Sequence, residues 1–102
     1  MNISYHAYMR FRDRRRFTSA NTQVRIWDGE AHMYLFGNEI AKTDRGETLV
    51  SCGGYPASNT TRDRLNAFPG IRIRKCKSDF IVNEKFKWDG KWLSLNNIER
   101  SY

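Results

Sequence analysis

"VRIWDGEAHMYLFGNEIA", residues 24–41, decides how this chain is read. It contains two turn dipeptides, Asp28-Gly29 and Gly37-Asn38. Taken as two-residue hairpin turns, the first pairs Trp27 with Glu30, Ile26 with Ala31, Arg25 with His32 and Val24 with Met33. The second pairs Phe36 with Glu39, Leu35 with Ile40 and Tyr34 with Ala41. One face then collects Val24, Ile26, Ala31, Met33, Leu35 and Ile40, all apolar, and a slip of one residue would mix the faces. The opposite face collects Arg25, Trp27, His32, Tyr34 and Phe36.

The same punctuation continues outward, at Arg45-Gly46, Gly53-Gly54, Pro69-Gly70 and Asp89-Gly90. Closely spaced turns between short apolar runs predict an antiparallel sheet. "TLVSC" (48–52) reads as a strand. "SNTTRDRLNAF" (58–68) is the one convincing helix: Thr60 and Asp63 resemble a capping box, Leu65 and Phe68 form the apolar stripe, and Pro69-Gly70 stops it. "IRIRKCK" (71–77) alternates as a strand with Ile71 and Ile73 inward and Arg72 and Arg74 outward. The pattern breaks at Lys75, where a bulge or the strand end is expected. "FIVNEKFKWDGKWLSL" (80–95) reads as a meander turning near Asn83-Glu84 and at Asp89-Gly90. The last turn would pair Trp88 with Lys91, Lys87 with Trp92 and Phe86 with Leu93. "ISYHAYM" (3–9) reads as a further strand. The expected fold is α+β: one domain over 1–102, an antiparallel meander of about seven or eight short strands, and one short helix over about 59–68.

Composition narrows the function classes. With 39% apolar and 14% aromatic residues, the chain is too apolar to be disordered. No run of eighteen apolar residues is present, so no membrane partner is expected. "MNISYHAYMR" lacks the apolar stretch of a signal peptide, which makes the cytosol the expected compartment. There Cys52 and Cys76 would be free thiols. The net charge is +7, and it is concentrated. Residues 10–16 hold five arginines and Asp13. Residues 62–77 hold Arg62, Arg64, Arg72, Arg74, Lys75 and Lys77 against Asp63. These two stretches carry the whole positive excess, which points to a polyanionic partner.

No P-loop, GxGxxG, HExxH or CxxC occurs, and His6, His32, Cys52 and Cys76 have no metal-ligand spacing. No cofactor and no enzyme activity is expected. The carboxylates Asp28, Asp44 and Asp89 belong to turns.

"RFRDRRRF" (10–17) is the densest basic run. In an extended conformation Arg10, Arg12, Arg14 and Arg16 would project from one side, about 7 Å apart, between anchors Phe11 and Phe17. Arg15 would lie on the other side. Such a row suits phosphates, although charged edge strands also serve to prevent sheet-to-sheet pairing. Arg72, Arg74, Lys75 and Lys77 form the second candidate group. Lys85, Lys87 and Trp92 form a third, with Trp92 either stacking on a ligand or packed inside. The Arg25–Trp27–His32–Tyr34–Phe36 face reads more readily as a second core layer than as a base-stacking surface, because one helix must cover one of the two faces.

"TSANTQVRIWDGEAHMYLFGNEIAK" (18–42) and "TTRDRLNAFPGIRI" (60–73) resemble segments of small accessory proteins encoded by tailed bacteriophages. The shared features are the SANT lead-in, the strand–turn–strand closed by a GN turn, and the TTxxRLN helix before a basic strand. The resemblance implies a product acting inside a bacterium, of a kind that binds host machinery or host defence complexes. It transfers no functional residue. The expectation is therefore a non-enzymatic binding protein whose basic segments engage nucleic acid or an acidic surface of a host protein or nucleoprotein complex, for instance as an anti-CRISPR. Mimicry of DNA is excluded by the positive charge. The alternatives are a minor virion component and, less favoured, a nuclease-like enzyme.

Overall fold

At Asp28-Gly29 both turn residues lie in the left-handed region, with φ of 52° and 76°. That is the geometry whose twist matches a right-twisted hairpin, and glycine adopts it without Cβ strain. The hairpin it closes has the register read from the sequence: Trp27 opposite Glu30, Ile26 opposite Ala31, Arg25 opposite His32 and Val24 opposite Met33.

The computed structural model describes residues 2–54 and 58–96. Along the chain these form α1 (Ile3–Arg12), β1 (Phe17–Ser19), β2 (Thr22–Trp27), β3 (Glu30–Leu35), β4 (Asn38–Asp44), β5 (Glu47–Val50), α2 (Asn59–Leu65), β6 (Ile73–Cys76), β7 (Asp79–Val82), β8 (Phe86–Trp88) and β9 (Leu93–Ser94). The fold is α+β and mostly β. Six strands make an antiparallel sheet in the order β1-β2-β3-β4-β5-β9, and β6-β7-β8 make a second. Both helices pack on the apolar face of the large sheet, α1 over β2 and β3 and α2 over β4. One cluster joins Phe11, Val24, Met33, Ile40, Val50, Leu65 and Phe68 to Ile73, Val82 and Trp88 of the small sheet.

The second hairpin departs from the sequence reading. Its turn falls one residue early, at Phe36-Gly37, so Leu35 faces Asn38 and Tyr34 faces Glu39. A bulge between Met33 and Tyr34 then shifts the register, and Met33 faces Ala41 while His32 faces Lys42. Ile40 and Ala41 are consequently both buried. The extra residue keeps Ile40 in the core and still returns β4 to register.

Residues 3–9 form a helix and not a strand, so the described residues contain two helices. Ser4, Ala7 and Phe11 are its buried positions, a spacing of three and four that matches a helical face. Asn2 caps it, its Oδ1 accepting from Tyr5 N at 3.2 Å. The cap of α2 is Ser58, whose Oγ accepts from Thr61 N at 3.1 Å, and not the expected Thr60. Asp63 turns outward, where it accepts from Ser4 and Arg64.

Ile71 and Ile73 are buried and Arg72 and Arg74 exposed as expected, but the strand begins only at Ile73, and Arg74, Lys75 and Cys76, where it ends, are all exposed. Asp89-Gly90 does not close a hairpin. β8 pairs with β7, while β9 pairs with β5 of the other sheet. Trp88 Nε1 donates to Lys91 O at 2.9 Å and Cys52 N donates to Gly90 O at 2.9 Å. These bonds hold residues 88–91 against Cys52, and the chain crosses from the small sheet to the large one.

Candidate nucleic-acid interface

The arginines of 10–17 are not an extended row. Arg10 and Arg12 lie in the last turn of α1, where cations complement the helix C-terminus. Phe11 is buried and Phe17 half-buried, so the two phenylalanines do anchor the segment, from a helix and from β1. Arg12 Nε donates to Asp13 Oδ1 at 2.9 Å, and that bond holds the Asp13 carboxyl below its usual range. Arg14 crosses to the β2–β3 turn. Its Nε donates to Gly29 O at 2.9 Å and its Nη2 stands 3.8 Å from Glu30 Oε1. Arg12 and Arg14 line a groove of about 350 Å³ shared with Thr43, Gly46 and Pro69. Arg10, Arg15 and Arg16 are exposed. Among the described residues none of the three makes a side-chain hydrogen bond or ion pair.

The second basic group is partly neutralised. Arg74 Nε donates to both Glu84 oxygens, at 2.6 and 2.8 Å. The pairing holds Glu84 below the usual carboxylate range and drives the Arg74 pKa upward. Lys87 Nζ lies 3.4 Å from Asp79 Oδ2. Arg72, Lys75 and Lys77 are exposed, and Lys85 is exposed in the β7–β8 turn. Arg64, counted with this stretch by sequence, is only 7% exposed and is internal. α2 packs on α1 and on β6, and so stands between the two basic groups. Trp92 is not paired with Lys87 across a hairpin, although the two line one groove with Asp79, Trp88 and Lys91. It stands beyond the crossing, with Lys42 Nζ 4.3 Å from its ring centre.

A third constellation lies on the large sheet, on the face opposite the helices. Its aromatics do not form a second core layer: Trp27 and Phe36 are exposed, and His32 and Tyr34 are only half-buried. The observed pairs give a cross-strand row Arg25–His32–Lys42–Leu49–Ser94. Three aromatics sit against its first three members. Trp27 stacks on His32, ring centres 3.8 Å apart and planes at 10°. Arg25 lies 5.6 Å from the centre of Tyr34, and Lys42 over Trp92. Trp27 is 44% and Trp92 41% exposed. His32 Nδ1 faces Glu39 Oε2 at 2.6 Å, so the imidazole donates there, while His32 Nε2 is buried without a partner. Glu30 accepts from Thr43 Oγ1 at 2.9 Å and from Arg45 N at 2.7 Å, which lowers its pKa, the Arg45 bond contributing most. Burial raises the Tyr34 pKa.

Lys42 and its contact with Trp92 escaped the sequence reading for a definite reason. A two-residue turn at Gly37-Asn38 carried inward would set Lys42 opposite Met33, in the core. The bulge turns it to the open face. Among the described residues no group of three or more His, Cys, Asp or Glu side chains is placed to hold a metal ion. No described helix is long and apolar enough to cross a membrane.

The model of one protein family, described as Kyanoviridae Gp96 protein, matches residues 1–99. The chain belongs to the Kyanoviridae Gp96 family. It is thus a phage protein, as its resemblance to accessory phage products implied. No curated protein and no solved structure gives a significant match. Family membership extends over both basic groups and the open face of the sheet.

Proposed function

We propose that this Gp96-family protein is a non-enzymatic binding protein whose cationic surface engages nucleic acid, free or carried in a host nucleoprotein complex in the bacterial cytosol. The observation that supports this reading is the trio Arg10, Arg15 and Arg16. These are exposed guanidiniums without ion pairs among the described residues, gathered where α1 ends and next to Arg14 at the sheet. Solvated cations held close together by a rigid helix end and a short loop suit phosphates, because each guanidinium can fork onto one without first breaking a bond inside the protein. Arg72, Lys75 and Lys77 extend the same property to the small sheet. If the target is a host defence complex, as for an anti-CRISPR, inhibition follows from occupancy and requires no chemistry.

The test is binding to duplex and single-stranded nucleic acid across a salt series. Log affinity falls with log salt at a slope of about −0.9 per phosphate contacted on duplex DNA. The double variant Arg15→Gln/Arg16→Gln lowers affinity and makes the slope shallower by about 2. Absence of binding at low salt rejects the reading and directs attention to an acidic protein surface or to virion assembly, which co-purification from infected cells and analysis of purified particles would separate.

A further inference from the structure

We infer that the open face of the six-stranded sheet is a stacking platform for single-stranded nucleic acid. Trp27, Tyr34 and Trp92 receive bases, while Arg25 and Lys42 face the backbone. The inference rests on the nucleic-acid reading above and adds a second surface and a ligand class to it.

Sheet geometry carries the first part. Arg25, His32 and Lys42 are directly paired neighbours on β2, β3 and β4, so they lie about 4.8 Å from one strand to the next. Their order is fixed by ladder hydrogen bonds and not by loop conformation. Tyr34 and Trp27 flank the row on either side of His32, their ring centres 6.3 Å apart. Trp92 closes it at the β9 edge.

The aromatics carry the second part. An aromatic ring has two faces, and in Trp27 one lies flat on His32. Its 44% exposure therefore comes from the other face and the ring edges. Trp92 has Lys42 over one face and is 41% exposed. A base stacked on a free face completes a sandwich already half built. Stacking of this kind tolerates any base, since every base has a π-face.

Charge complementarity carries the third part. The carboxylates on this face are Glu30, Glu39, Asp44 and Glu47; Asp44 stands 4.0 Å from Arg45, and Glu47 accepts from Ser94 at 3.1 Å. Glu39 is engaged by His32, and Glu30 by Thr43, Arg45 and Arg14. Arg25 and Lys42 have no carboxylate partner among the described residues. Through Arg14, which ties the basic segment to Gly29, the face is continuous with a source of further cations. A duplex keeps its base faces stacked inside the helix and offers this surface only phosphate. An unpaired strand offers both phosphate and bases.

The experiment compares three probes at low salt: a short oligodeoxythymidylate, an abasic oligomer of equal length and a duplex of equal length. The platform predicts that the thymidylate quenches tryptophan fluorescence and binds about tenfold or more tighter than the abasic oligomer. Trp27→Ala and Trp92→Ala each weaken thymidylate binding by about tenfold, Trp27→Phe retains most of it, and duplex binding changes by less than about twofold. Far-ultraviolet circular dichroism checks that each variant is folded. Equal affinity for thymidylate and abasic oligomers, or wild-type affinity in a folded Trp27→Ala variant, overturns the platform and leaves the phosphate-binding reading standing. In that case the aromatics serve only as cross-strand stabilising pairs. Absence of binding to all three probes overturns both.

Discussion

Arg64 Nε donates to Thr22 Oγ1 at 2.9 Å, joining α2 to β2 across forty-two positions of chain. The same guanidinium donates to Ser4 Oγ at 2.7 Å, Asp63 Oδ2 at 3.1 Å and Asn21 Oδ1 at 3.3 Å. A buried cation is tolerable only when its donors are met. Here both helices and the head of β2 contribute acceptors. The residue that sequence counts among the surface cations is therefore the polar tie of the layered core.

Replacing Arg64 with Ala removes those bonds; Thr22 still donates to Asn21 and Ser4 to Asp63, but each loses the guanidinium it accepted from and the two helices lose their tie to β2. The expected cost is about 2–3 kcal/mol of unfolding free energy, read as a lower denaturant midpoint at unchanged slope. Arg64→Lys recovers less than half, because an ammonium lacks the planar fork that reaches three directions at once. Nucleic-acid affinity of the folded fraction is unchanged in both variants.

Glu84 clamps Arg74 through both carboxylate oxygens on the outside of the small sheet. Glu84→Gln releases that cation and leaves the thermal transition in place, since the pair is exposed. Tighter duplex binding with a salt slope steeper by about 1 would place Arg74 in the interface. Unchanged affinity would remove the β6 cations from it.

Gly53 has φ +69°, and a Cβ built on it would stand 2.8 Å from Asn38 Cβ. Neighbouring Gly54 has φ +87° with nothing within 4 Å. Gly53→Ala should cost about 2–3 kcal/mol, and Gly54→Ala about 1 kcal/mol, the strain of a left-handed alanine alone. The difference between the two in chemical denaturation measures the clash with the β4 edge.

Cys52 is buried and its thiol is pushed up to about 11 by burial, with Asp89 adding to the shift, while Cys76 is exposed. The folded state thus disfavours the Cys52 thiolate. Its contribution to stability is complete below pH 9.0, the ordinary thiol value, and is lost as pH rises towards 11. Cys52→Ala should flatten that alkaline decline relative to wild type. Iodoacetamide at neutral pH should modify Cys76 readily and Cys52 only when the protein unfolds.

Turn chemistry and side-chain period alone specify the antiparallel β-rich α+β class, the Asp28-Gly29 hairpin residue for residue, the burial of Leu65 and Phe68 and the alternation of Ile73 with Arg72 and Arg74. Both are local properties, the period being two or nearly four. α2 nevertheless ends at Leu65, three residues before the expected end, and Phe68 reaches the core from the turn that follows. Even α1 was legible in principle, since Asn2 as a cap and the spacing of Ser4, Ala7 and Phe11 specify a helix. The β-prone tyrosines and isoleucine masked that signal. Only the tertiary structure decided that Met33 and Tyr34 face a bulge, that Lys42 emerges beside His32, that residues 89–91 cross between sheets and bring Trp92 to Lys42, and that Arg64 is internal. Each depends on contacts between segments far apart in the chain. Whether a cation faces solvent, a carboxylate or the core is set by what packs against it, and residue type and periodicity do not encode that.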